Sequence, residues 1–176
     1  MNICLIGYGK MGKAIEPILS SRGHSISGII TSQNKSELSD ILKASDIAIE
    51  FTTPEHAPDH ILACLKLGVP VVSGSTGWLA SWDKISEMVH QTNGSFLWAS
   101  NFSVGVNIMF ALNKMLAKTI AYFEMYRPEI RETHHTEKKD QPSGTAVSLV
   151  SDILEEQKFR KSWILNPQEP SEQLVP

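Results

Sequence analysis

Cysteine is scarce in this chain of 176 residues, which has two, Cys4 and Cys64. Both sit in apolar segments, so a disulfide framework is excluded, and small core residues in a reduced, cytoplasmic setting are the expectation. No apolar run approaches the length of a membrane span, and Ile3-Cys4-Leu5-Ile6 leads straight into a glycine loop with no room for a signal sequence. Neither export nor membrane insertion is expected. An excess of positive charge is also missing. The formal net charge of -3 offers no general attraction to nucleic acid or to an anionic membrane, so any anion must be met by a local cluster. Internal repeats, low-complexity tracts and standard metal-ligand spacings are absent, and no resident metal is expected. What remains is an ordinary globular composition, 41% hydrophobic and 20% charged.

Strand-like and helix-like segments alternate through the first hundred residues or so, the sign of a parallel sheet with crossover helices. Strands are predicted over residues 3–6, 25–31, 47–52, 69–73 and 96–99, with helices after the glycine loop and over residues 36–43, 55–67 and 81–90. Pro17 falls inside the first helix and should kink it. Val106, Ile108, Met109, Leu112, Met115, Leu116 and Ile120 then describe one long apolar helix. We expect a dinucleotide-binding α/β domain over residues 1–102, a Rossmann-like doubly wound sheet, and an α+β substrate and oligomerisation domain over residues 103–176. In the second domain residues 129–135 read as a strand, and residues 143–156 as a helix burying Val147, Val150, Ile153 and Leu154.

Gly7-Tyr8-Gly9-Lys10-Met11-Gly12 fits G-x-G-x-x-G between a strand and a helix. The first glycine allows the tight turn, the second lets the backbone approach a pyrophosphate, and the third permits close helix packing. NADH or NADPH is the cofactor this implies. The acidic residue that usually ends the second strand and holds the ribose is missing from Thr31-Ser32-Gln33-Asn34-Lys35. Ser32, Asn34 and Lys35 could instead bond a 2′-phosphate. Gly74-Ser75-Thr76-Gly77 and Ala99-Ser100-Asn101-Phe102 also follow strands, where a nicotinamide and its ribose would lie in such a fold.

The densest chemistry runs from Glu132 to Ala146: His134, His135, Lys138, Lys139, Asp140 and then Ser143-Gly144-Thr145 opening a helix. In a strand the two histidines face opposite sides, so two separate jobs are expected, one as a general acid and one as an anion contact. Ser143 can cap the helix while the amides of Gly144 and Thr145 receive a carboxylate. A solvated surface, or a metal site drawn from Glu132, His134, His135 and Asp140, are the alternatives.

Glu132-Thr133-His134-His135, Lys138 and Asp140-Gln141-Pro142-Ser143-Gly144-Thr145-Ala146 closely resemble the signature of the 4-hydroxy-tetrahydrodipicolinate (dihydrodipicolinate) reductase family. Gly7 to Gly12, Glu50-Phe51-Thr52, Gly74 to Gly77 and Ala99 to Asn107 match family segments in the same order. The resemblance implies an NAD(P)H-dependent oxidoreductase of the diaminopimelate route to lysine, acting on a cyclic imine dicarboxylate, cytoplasmic and homotetrameric. It implies His134 as proton donor, Lys138 as a second catalytic group, and His135, Lys138, Gly144 and Thr145 as carboxylate contacts. The chain departs from the pattern in lacking the acid after the second strand and in carrying Gln141 where a small residue is common. Family members also extend beyond the point matching Pro176, so the substrate domain is expected to be partial. Other readings are an amino-acid or semialdehyde dehydrogenase with the same cofactor domain, and a non-catalytic dinucleotide-binding protein.

Overall fold

A computed structural model describes residues 1–134, 136 and 141–165. The chain divides into two compact units, Met1–Ser100 and Asn101–Pro176.

In the first unit five strands form one parallel sheet: β1 (Asn2–Ile6), β2 (Ser25–Ile30), β3 (Ile47–Glu50), β4 (Val71–Ser73) and β5 (Phe96–Trp98). Their order is β2-β1-β3-β4-β5, so chain direction reverses across the sheet at β1 and β3. Helices α1 (Lys10–Ser21), α2 (Leu38–Lys43), α3 (Ala57–Lys66) and α4 (Trp82–Thr92) make the crossovers. Alternation along β1 divides the core between the two faces. Cys4 and Ile6 point into a cluster with Leu42, Ile61, Leu65, Val71 and Ile85 beneath α2, α3 and α4. Ile3 and Leu5 point the other way, onto Leu19 of α1. This is the doubly wound arrangement expected. Burial pushes the Cys4 and Cys64 thiols up to about 12, as befits free core cysteines. Pro17 lies within α1 on its exposed side, where solvent can take over the carbonyl that loses its amide partner.

The second unit contains α5 (Val104–Ile120) and α6 (Gly144–Glu156). Along α5, Val106, Phe110, Asn113, Ala117 and Ile120 are its buried or half-buried positions, and this stripe includes the contacts with α6. The Asn113 amide donates to the Leu149 carbonyl at 3.0 Å, and Lys114 pairs with Glu155 at 2.9 Å. Other apolar residues of α5, among them Ile108, Met109, Leu112, Met115 and Leu116, are exposed. Two expectations need correction here. Residues 129–134 form no strand, because no second strand exists among the described residues of this unit to complete a ladder. On α6, Val147 is exposed and the buried position is Ala146, one residue earlier.

Candidate active site

The strand ends of the first unit converge on a crevice. Backbone bonds tie the loops to neighbouring strands: the Gly7 amide to the Ile30 carbonyl (2.8 Å), Phe51 to Ile6 (2.8 Å) and Gly74 to Glu50 (3.0 Å). Gly7 takes φ +96°, and a Cβ there would lie 2.0 Å from the Phe51 carbonyl oxygen. A Cβ on Gly12 would lie 2.3 Å from the Gly7 carbonyl oxygen, so α1 can start this close to the loop only with glycine. Gly9 faces open space, with nothing within 4 Å of a built Cβ, and no side chain caps the start of α1. An unobstructed helix N-terminus behind a bare backbone suits a pyrophosphate.

Two cavities flank this loop. One of about 320 Å³ is lined by Gly9, Lys10, Met11, Phe51, Thr52, Pro54, Gly74, Ser75 and Thr76. The other, about 620 Å³, extends from Gly7, Tyr8 and Gly9 to Thr31, Ser32, Gln33 and Lys35 on one side and to Thr53, His56 and His60 on the other. The glycine loop and the Gly74 turn are therefore brought together at one cavity. Ala99, Ser100, Asn101 and Phe102 line neither cavity. The Asn101 side chain instead accepts from the Ser103 amide at 2.8 Å, and Ser103 caps α5.

Beneath the crevice lies a residue whose role sequence reasoning missed. Glu50 ends β3 with no exposed surface. Its carboxylate accepts from the Thr52 amide (2.8 Å), the Thr52 hydroxyl (2.5 Å), the Ser73 hydroxyl (2.5 Å) and the Ser75 hydroxyl (2.8 Å). The Ser75 carbonyl accepts from both indoles, Trp78 and Trp98, at 2.8 Å each. One buried carboxylate thus fixes two of the loops that line the crevice. His60 sits above it, with burial lowering its pKa and the Glu50 charge opposing that shift. The available signal was an acid ending an otherwise apolar strand.

In the second unit Glu132 ties His134 to the start of α6. It accepts from the His134 Nε2–H at 2.8 Å, from the Ser143 amide at 2.8 Å and from the Ser143 hydroxyl. Ser143 in turn accepts from the Ala146 amide at 3.1 Å, the helix cap that the Ser-Gly-Thr sequence predicts. Burial works to raise the Glu132 carboxyl, but the Ser143 hydroxyl, the His134 ring and the Ser143 amide outweigh it and hold it down at about 2. Gly144 and Thr145 form the first turn of α6, while His135 and Lys138 lie outside the described residues.

The description "Dihydrodipicolinate reductase, N-terminus" matches residues 1–102, and "Dihydrodipicolinate reductase, C-terminus" matches residues 105–172. The chain belongs to the dihydrodipicolinate reductase family. Over 173 residues it is 42% identical to a 4-hydroxy-tetrahydrodipicolinate reductase of Christiangramia forsetii, covering 98% of this chain and 72% of that relative. Reductases of the same name from Natronomonas pharaonis (34% identical) and Rickettsia bellii (36%) match 89% and 90% of the chain, which spans 65% and 63% of their lengths. A solved dipicolinate-bound dihydrodipicolinate reductase from Paenisporosarcina sp. TG-14 shares the fold at a TM-score of 0.70 and 22% identity, over 98% of this chain and 72% of that one. As a member of this oxidoreductase family the chain carries the family's dinucleotide-binding domain, for NADH or NADPH, in its first unit.

Proposed function

We propose that the chain catalyses the NAD(P)H-dependent reduction of 4-hydroxy-tetrahydrodipicolinate to tetrahydrodipicolinate in diaminopimelate and lysine biosynthesis. The observation that carries this reading is the Glu132 link, which holds His134 beside the Ser143-capped start of α6. The His134 ring and a helix terminus whose first-turn amides belong to Gly144 and Thr145 thus share one carboxylate, which supports reading His134 as the proton donor. Gly9 and the uncapped start of α1 would hold the cofactor's pyrophosphate, and the cofactor would supply the hydride that adds to the conjugated carbon of the dehydrated substrate. His134 protonates the neighbouring carbon. Lys138, His135 and the amides of Gly144 and Thr145 hold the two carboxylates and stabilise negative charge as it accumulates. Glu132, accepting from the His134 ring, orients it. By family resemblance the substrate partner is a small cyclic imine dicarboxylate, and the enzyme is a cytoplasmic homotetramer.

A His134→Gln variant tests the central assignment. Loss of nicotinamide absorbance with freshly generated substrate should slow by roughly 10² to 10⁴ in kcat, the scale of a general acid. Turnover at the unsubstituted rate would contradict the role.

A further inference from the structure

Three hydrogen bonds end on the Glu132 carboxylate, and two of them come from a single residue. Oε1 accepts from the Ser143 amide at 2.8 Å, while Oε2 accepts from the Ser143 hydroxyl and from His134 Nε2 at 2.8 Å. Ser143 is only 3% exposed, and its hydroxyl oxygen already accepts from the Ala146 amide, so its hydroxyl proton is directed to Glu132. One bond to each oxygen from the same buried residue fixes the carboxylate in position and in rotation. The lone pair that meets His134 is fixed with it.

This arrangement distinguishes the two ring nitrogens of His134. A carboxyl held down at about 2 is ionised at neutral pH and has no proton to give, so Nε2 must carry one and donate it. Nε2 is then engaged in the neutral and in the protonated ring alike. Nδ1, by contrast, makes no hydrogen bond to any described residue. We propose that Glu132 is a positioning residue and that the proton His134 delivers to the substrate leaves from Nδ1. The Nδ1–H bond of the imidazolium breaks and its electron pair stays on the ring. The proton goes to the carbon beside the one that takes the hydride, where the electron pair displaced by hydride addition forms the new C–H bond. The ring is left neutral, with its remaining proton on Nε2 and still donated to Glu132, and water returns a proton to Nδ1. Because the Nε2 bond persists throughout, the ring need not turn over between cycles. The inference rests on the reading of His134 as the proton donor of the proposed reduction.

Replacing His134 with Nδ1-methylhistidine blocks the assigned nitrogen and leaves Nε2 able to meet Glu132. The side chain is 36% exposed, which gives the added methyl group room. With the cyclic imine, kcat should fall by roughly 10²-fold or more, the scale of a lost general acid, while the dissociation constant for NADPH, measured by calorimetry, stays unchanged. Glu132→Ala should lower kcat by roughly 10²-fold, the cost of a reacting group displaced by about 1 Å. In nitrogen-15 spectra of histidine-labelled protein, neutral His134 should carry its proton on Nε2, and that preference should relax in Glu132→Ala. Unimpaired turnover with Nδ1-methylhistidine, a neutral ring protonated on Nδ1, or an unchanged kcat in Glu132→Ala would overturn the inference and leave the proposed function standing. Absence of turnover by the unsubstituted protein would instead overturn the proposed function, and with it the proton transfer from Nδ1.

Discussion

At the scale of single residues, two glutamates do more than the motifs around them advertise. Glu50 is fully buried, and four donor groups on Thr52, Ser73 and Ser75 end on its carboxylate. Truncation to alanine strands those donors away from water, so Glu50→Ala should lose about 3 kcal/mol of stability, read from the urea midpoint at unchanged m-value. A loss under about 1 kcal/mol would show that the donors find other partners. Glu132 acts through its charge. Its carboxyl lies at about 2 in the folded chain against an ordinary 4.5, so folding releases a proton and the contribution is fully present above pH 4.5. It is lost as pH falls from 4.5 through about 2. Unfolding titrations of the unsubstituted protein and of Glu132→Gln should therefore converge across that window. A constant gap between the two curves would refute the link.

At the scale of elements, α6 depends on its first turn. Ser143→Ala removes both the cap on the Ala146 amide and one donor to Glu132, and should cost about 1 kcal/mol, measured by chemical denaturation. That cap was legible in Ser143-Gly144-Thr145, because capping is set by residues in immediate succession. The five strands and the crossover helices were legible for a related reason. Runs such as Ile3 to Ile6 are apolar at every position, and helical periodicity follows each one, so local pattern and tertiary environment agree. Residues 129–134 show where this fails. The segment reads as a strand, yet a strand exists only through its ladder, and ladder partners cannot be read from the segment itself. The approach of Lys35 Nζ to His56 Nε2 at 3.2 Å was hidden likewise, since the two are 21 positions apart and come from the loops after β2 and β3, the strands that flank β1.

At the scale of the whole molecule, the fold sets the reactivity of groups far from the crevice. Cys4 and Cys64 are buried in the core of the first unit, with thiols raised to about 12 by burial. Alkylation at neutral pH should therefore be slow and should rise with urea along the same transition as global unfolding, as mass spectrometry would record. Modification well below that transition would mean that the core opens locally. As proposed above, a glycine-cradled dinucleotide site and a His134 centre serve one reduction. The most direct test is the steady-state rate of NAD(P)H oxidation with 4-hydroxy-tetrahydrodipicolinate, set beside the rates of NAD(P)-linked turnover with homoserine and aspartate. Turnover of the cyclic imine alone is the predicted result. Turnover of homoserine or aspartate, with none of the cyclic imine, would contradict the account and assign the chain to a different dehydrogenase chemistry.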